Sequence, residues 1–204
     1  GIYAFKLKVG DANPGSPILW PDSTYNKDAS ASNQKFQGSD RMFVVVSGKK
    51  EGALKEPSVL EGMERFQKYM EAQPEVGGSI SLTDILPAVK RVVREGNARY
   101  QELGANADEN GELVYMFVSG ADPGDMDRFA DPQAKNGAVT LFFRDHQGET
   151  IRTAIARVKE EVADMQEIAD AEGVGITIEP WDYRFYAEKV RTARYAYDSE
   201  AVKK

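Results

Sequence analysis

Few side chains in this sequence are of a type and spacing that could do chemistry. The single histidine, His146, lies between a predicted strand and a predicted helix, and the chain has no cysteine. A zinc site usually needs several histidine or thiolate donors, and a catalytic triad would have to use His146, yet no serine sits in a nucleophile-elbow motif. The glycines form neither a dinucleotide-binding fingerprint nor a phosphate-binding loop. We therefore predict no catalytic residue, metal or cofactor, and a turn or helix-start role for His146.

An acidic loop over residues 122–131 is the one stretch that suggests a cation. It carries four aspartates, but its spacing lacks the central glycine and the terminal glutamate of an EF-hand loop. Helix capping and solubility explain these carboxylates more simply than calcium binding does. The four residues are Asp122, Asp125, Asp127 and Asp131.

Aromatic and methionine side chains around the same loop are candidates for a hydrophobic ligand surface. Methionine adapts to irregular apolar partners, and flat aromatic rings suit a bulky ligand with few hydrogen bonds. The alternative is ordinary core packing, which general burial preferences favour. The candidate ligand-binding residues are Tyr115, Met116, Phe117, Met126 and Phe129.

The composition is that of an ordinary globular protein. The chain has 204 residues, of which 41% are hydrophobic and 29% charged, so a core can form without disulfide bonds or bound metals. A net charge of −7 and the lack of a basic block argue against a nucleic-acid partner. No apolar run approaches the roughly 18 residues of a membrane span. Because the chain begins with Gly1 and continues directly into structured sequence, we expect it to be part of a longer protein.

The hydrophobic pattern predicts the order strand-helix-strand, spacer, strand-helix-strand. Two such split units make an α+β fold, in which a four-stranded antiparallel sheet carries helices on one face, the ferredoxin-like plan. Strands are predicted at 41–47, 76–82, 137–143 and 174–179. Capping boxes at Ser58 and Ser81 predict two helix starts, with Pro87 in the first turn of the second helix.

The other segments are predicted as helices, as loops, or as a run that fits either a strand or a helix. A long helix should begin at Glu149 and stop at Gly173, and an appended C-terminal helix is predicted at 181–197. Residues before 40 carry loop chemistry, and residues 95–111 are polar and predicted as a loop. The apolar run 113–118 fits a strand or a helix.

Several segments in one order carry a family resemblance over about residues 1–155. They are GDANPGSPILW at 10–20, GSD at 38–40 before RMFVVV, PSVL at 57–60, QPEVGGSISL at 73–82, DPGDM at 122–126 and RDHQGET at 144–150. Together they resemble the periplasmic porter domain of RND-superfamily exporters of the hydrophobe and lipid branch (MMPL-like).

This resemblance implies a non-enzymatic segment between the first and second membrane helices of a proton-driven transporter. The domain would lie on the periplasmic face of the bacterial inner membrane, and the transmembrane helices with the proton relay would lie outside this chain. It would bind or pass hydrophobic substrates such as hopanoids, sterols or other lipids. The oligomeric state stays open, a homo-oligomer included.

A second resemblance covers about residues 157–204. The segment EPWDYRFYAEKVR at 179–191 is similar to a helix of zinc-dependent oligopeptidases of the dipeptidyl carboxypeptidase type. Those enzymes use a His-Glu-x-x-His motif that this chain lacks, so no metal or catalytic role is carried over. We therefore expect a porter-like domain at 1–155, its last helix and strand extending to about 179, and a peptidase-like tail at 157–204 that is a natural fusion or a sequence artefact. The alternatives are an inactive oligopeptidase fragment and a ligand-free interaction domain.

Overall fold

A four-stranded antiparallel sheet organises the chain in the computed structural model, which describes residues 40–144, 148–171 and 173–181. The strands are β1 (Asp40–Gly48), β2 (Val76–Ile80), β3 (Asn136–Phe143) and β4 (Ile176–Trp181). Their order across the sheet is β2-β3-β1-β4, and every neighbouring pair is antiparallel. The predicted α+β class is therefore confirmed.

Four α-helices of the described residues connect and cover these strands. They are α1 (Pro57–Glu71), α2 (Leu82–Val93), α3 (Ala107–Gly120) and α4 (Gly148–Ala171). The unit β1-α1-β2 has β3 between its two strands, and the unit β3-α4-β4 has β1 between its own. Two split strand-helix-strand units produce this order. Helices α2 and α3 are an addition between β2 and β3, and the ferredoxin-like assignment stays a prediction.

The main core lies between one face of the sheet and the helices. Alternate residues of β1 and β3, such as Val44 and Leu141, point to this side because successive side chains of a strand point to opposite faces. They join Leu60, Met63 and Phe66 of α1, which recur at helical spacing. On the other face of the sheet, a separate buried cluster consists of Phe43, Val45 and Ala138.

Ser81 lies between the end of β2 and the start of α2, and it caps the helix. Its hydroxyl accepts a hydrogen bond from the Thr83 backbone N–H at 3.1 Å, and the Asp84 carboxylate accepts one from the Ser81 N–H at 2.8 Å. The predicted capping box is therefore confirmed. Strand β2 ends at Ile80, two residues earlier than predicted, because Ser81 already serves the helix. Pro87 lies inside α2 rather than in its first turn, which corrects the prediction.

The predicted capping box at Ser58 is wrong. Helix α1 begins at Pro57, its N-cap is Glu56, and no side chain caps it. Proline suits the first helical position because its φ is already near the helical value and it needs no hydrogen-bond acceptor. The helix therefore starts one residue before Ser58.

The polar stretch predicted as a loop at 95–111 contains the start of α3. Asn106 caps this helix, since its Oδ1 accepts a hydrogen bond from the Glu109 N–H at 2.9 Å. The apolar run 113–118 is accordingly helical. The stop predicted for α4 is confirmed, because Gly173 has a positive φ of 70°, which favours glycine.

Some predictions fall on residues that the structure does not describe. They include the loop predicted before residue 40, His146 and residues 182–197 of the predicted C-terminal helix. The first residue of that predicted helix, Trp181, instead ends β4, which corrects the predicted helix start. None of the described helices combines the length and hydropathy needed to cross a membrane.

Candidate functional site

The five residues predicted to line a ligand surface do not form one surface. Met126 and Phe129 belong to the main core, and Phe117 packs edge-to-face on Phe129 with ring centroids 6.1 Å apart. Tyr115 and Met116 are exposed on α3. Residues of one helix point about 100° apart per position, so Tyr115 and Phe117 leave α3 in nearly opposite directions. Ligand binding by these residues stays a prediction.

The acidic loop is organised by hydrogen bonds within the chain. Asp131 is buried, and its carboxylate accepts hydrogen bonds from the backbone N–H groups of Lys135 and Asn136 at 2.8 and 3.1 Å. The Asn136 side chain donates a further one at 2.6 Å. Asp131 therefore fixes the turn that leads into β3. Within the described ranges, no three histidine or carboxylate side chains are grouped so that they could hold a metal ion.

A cavity of about 460 Å³ opens where α1 begins and where the chain passes from α4 to β4. We call it the mouth cavity. Its apolar lining comes from Ala53, Val59, Val174 and Ile176, and its charged rim comes from Lys49, Lys50 and Glu56. This volume falls in the range of small-molecule pockets, roughly 300–1,000 Å³.

A narrow cleft of about 30 Å³ lies beside the mouth cavity, between α1 and α4. We call it the inner cleft, and the two spaces together the groove. Both are lined by Ser58, Val59, Val174 and Ile176, so they are neighbouring spaces that share these residues. The rest of the lining of the inner cleft is mainly apolar and includes Val46, Gly62, Met63, Met165, Ile168 and Ile178, with the exposed Arg65 as its one charged residue.

Gly62 and Met165 set the width of the inner cleft. A side-chain carbon at Gly62 would meet only the terminal methyl of Met165, at 3.8 Å. Glycine inside a helix costs roughly 0.5–1 kcal/mol relative to alanine, so its place in the middle of α1 is the sequence signal by which the cleft could have been found. The cleft has room for about one water molecule and widens only when a flexible side chain such as Met165 moves.

Backbone pairing between the ends of β1 and β4 positions the rim of the mouth cavity. The Lys49 N–H donates a hydrogen bond to the Gly175 carbonyl oxygen at 2.8 Å. The stem of Lys49 lies against Gly175, since a Cβ there would be 3.3 Å from Lys49 Cδ. Lys50 forms an ion pair of 3.6 Å with Glu56, and both side chains are exposed. The rim therefore carries two cations and one anion beside the positive end of the α1 dipole.

A second polar cluster ties α2 to α3. Lys90 is only 6% exposed, and its ammonium lies 3.0 Å from Glu109 and 3.3 Å from Glu102. Burial alone lowers the pKa of Lys90, but the hydrogen bonds to Glu109 and Glu102 outweigh it and leave the pKa raised. The hydrogen bond from the Ala105 N–H, followed by that from Lys90, lowers the pKa of Glu109. These charges satisfy one another within the cluster, so its evident role is structural.

Comparison with known proteins gives one partial similarity. A stretch of 76 residues is 37% identical to a dipeptidyl carboxypeptidase of Salmonella typhimurium and 33% identical to one of Escherichia coli. The matched stretch is 37% of this chain and 11% of each relative. No family model and no solved structure matches the chain. The predicted likeness to dipeptidyl carboxypeptidases is therefore confirmed as a partial one, and the resemblance to RND exporters stays a prediction.

Proposed function

We propose that the described domain is a non-catalytic binding domain for hydrophobic molecules, and that the groove is its binding site. The observation that carries this proposal is the largely apolar lining that the mouth cavity shares with the neighbouring inner cleft. The proposal agrees with the resemblance to porter domains of lipid exporters. On that view the domain lies on the periplasmic face of the inner membrane, and its parent transmembrane helices lie outside this chain.

The groove favours an apolar ligand for a simple physical reason. Each Å² of apolar surface that a ligand removes from water contributes about 25 cal/mol, and only an apolar lining can replace the water without loss of hydrogen bonds. The mouth cavity is wide enough for the bulk of a ligand, and the inner cleft can take its narrow end once Met165 changes rotamer.

Binding of the neutral fluorescent probe N-phenyl-1-naphthylamine tests the proposal. Two substitutions fill the groove at different points. Ser58→Phe places a ring at the mouth, and Gly62→Leu fills the inner cleft next to Met165. We expect each to raise the dissociation constant about tenfold or more, a change of about 1.4 kcal/mol.

The matched control is Lys68→Phe, because Lys68 is an exposed residue of α1 outside the groove. It should bind the probe as the unchanged protein does. Absence of saturable binding by the unchanged protein would overturn the proposal and favour a ligand-free interaction domain. Unchanged affinity in both groove variants would place the site elsewhere.

The second candidate is an inactive fragment of an oligopeptidase. The 76-residue similarity to dipeptidyl carboxypeptidases supports it. The chain carries a single histidine and so lacks the His-Glu-x-x-His motif with which such enzymes hold zinc. On this view the chain would contribute only to the packing of a larger enzyme, and the groove would be the place where another part of that enzyme sits.

A further inference from the structure

We infer that the groove selects a single-chain amphiphile with an anionic head group, held at the rim by Lys49, with its tail along the apolar lining. The inference rests on the proposed function and names the class of ligand. It follows from the distribution of charge along the groove. Lys49 and Lys50 lie at the mouth, whereas the lining of the inner cleft is uncharged apart from the exposed Arg65.

Lys49 is the residue best placed to meet a head group. Its backbone N–H donates a hydrogen bond to the Gly175 carbonyl oxygen, and its aliphatic stem lies along that glycine. The base of the side chain is therefore held at the rim, although the side chain is exposed. Among the described residues, no carboxylate forms an ion pair with Lys49. An anionic head group would therefore meet no competing carboxylate at Lys49 from the described part of the chain.

Lys50 places a second positive charge at the same end of the groove, but this charge is partly neutralised by Glu56. Its ion pair with Glu56 is 3.6 Å long, and the side chains are 77% and 42% exposed. Exposed pairs of this kind contribute little, typically about 0–1 kcal/mol, so a ligand anion can compete with Glu56 for Lys50. Glu56 is the only carboxylate among the described residues that line the groove.

The groove fits neither a free inorganic anion nor a fully neutral lipid as well. Two exposed lysines, one of them already paired, give few converging donors for a small anion, whose affinity comes from several hydrogen bonds at once. A neutral lipid would leave the charged rim without a partner. An amphiphile matches both ends, and a single chain matches the narrowness of the inner cleft.

Displacement of N-phenyl-1-naphthylamine at low ionic strength tests this inference, with dodecanoate, dodecanol and inorganic phosphate as competitors. Low salt is needed because exposed charges are screened. We expect dodecanoate to displace the probe at about fivefold lower concentration than dodecanol, which corresponds to one exposed charge pair. Lys49→Gln should remove this preference, whereas Lys68→Gln should keep it, since Lys68 lies on the far part of α1.

Each of the other results of the displacement experiment would contradict one specific part of the inference or of the proposed function. If the probe binds and dodecanol competes as well as dodecanoate, the head-group selectivity is wrong while the hydrophobic site stands. Displacement by phosphate alone at similar concentration would mean an anion site that needs no tail, and would also overturn the inference. If the probe does not bind at all, the proposed function itself fails.

A second variant tests the role of Lys49 if Lys49→Gln lowers the stability of the protein. Gly175→Ala would place a methyl group 3.3 Å from Lys49 Cδ and move the stem without removing the charge. We expect it to weaken the preference for dodecanoate while leaving dodecanol unchanged. Equal effects on both competitors would contradict a positioning role for Gly175.

Discussion

Met126 and Tyr115 are apolar residues only eleven positions apart, yet their surroundings are opposite. Met126 is 6% exposed and packs in the main core, whereas Tyr115 is 72% exposed. We expect Met126→Asp to lower the free energy of unfolding by several kcal/mol, because it buries an unpaired charge. Tyr115→Asp should change it by no more than about 0.5 kcal/mol. Urea unfolding followed by circular dichroism gives both values, and equal effects would contradict the assigned burial.

The ion cluster around Lys90 should make stability depend on pH. Glu109 has a lowered pKa in the folded state, so its charge contributes stability above its ordinary pKa of 4.5, and this contribution is lost as the pH falls through the lowered value. Glu109→Gln should therefore cost stability at pH 7, and the difference from the unchanged protein should shrink as the solution is acidified below pH 4.5.

Glu112→Gln is the matched control for this substitution, because Glu112 is an exposed residue of the same helix. Its urea midpoint should follow that of the unchanged protein at every pH. A loss in Glu109→Gln that stays constant from pH 7 to acid would show that the carboxylate charge is not what stabilises the pair of helices.

At the scale of elements, two serines with similar sequence contexts have different roles. Ser81 caps α2 and also donates a hydrogen bond to the buried Gln67 side chain, whereas Ser58 is exposed and caps nothing. Ser81→Ala should reduce the free energy of unfolding by about 1–3 kcal/mol, since a cap and a buried partner are lost together. Ser58→Ala should stay within about 0.5 kcal/mol in the same denaturation experiment. A comparable loss at both positions would contradict the assigned helix starts.

For the molecule as a whole, the partial similarity to dipeptidyl carboxypeptidases poses the question of activity. We predict that the purified chain releases no dipeptides from a peptide substrate, with or without added zinc, and that it retains no stoichiometric zinc after dialysis. A single histidine and no thiol leave mainly carboxylates as ligands, which hold zinc poorly on their own. A zinc oligopeptidase assayed in parallel is the positive control. Dipeptide release would show that the chain is an enzyme, and retained zinc would contradict the predicted lack of a metal site.

The sequence by itself determined the fold class and two helix boundaries. The β-branched run of β1 and the alternation of strand and helix patterns were enough to predict an α+β fold, because burial of one face imposes these periods locally. Ser81 and Gly173 could also be assigned, since a cap and a left-handed stop depend on one or two neighbouring residues.

Only the tertiary structure decided which side chains pack together in the core and which line the groove. The run 113–118 fits two periodicities, and its helical state depends on packing that brings Leu113 into the main core. The groove joins residues more than a hundred positions apart, such as Ser58 and Met165, so no local pattern contains it. It arises where two helices on one sheet face leave space between them, and that space depends on side-chain volumes from four separate elements.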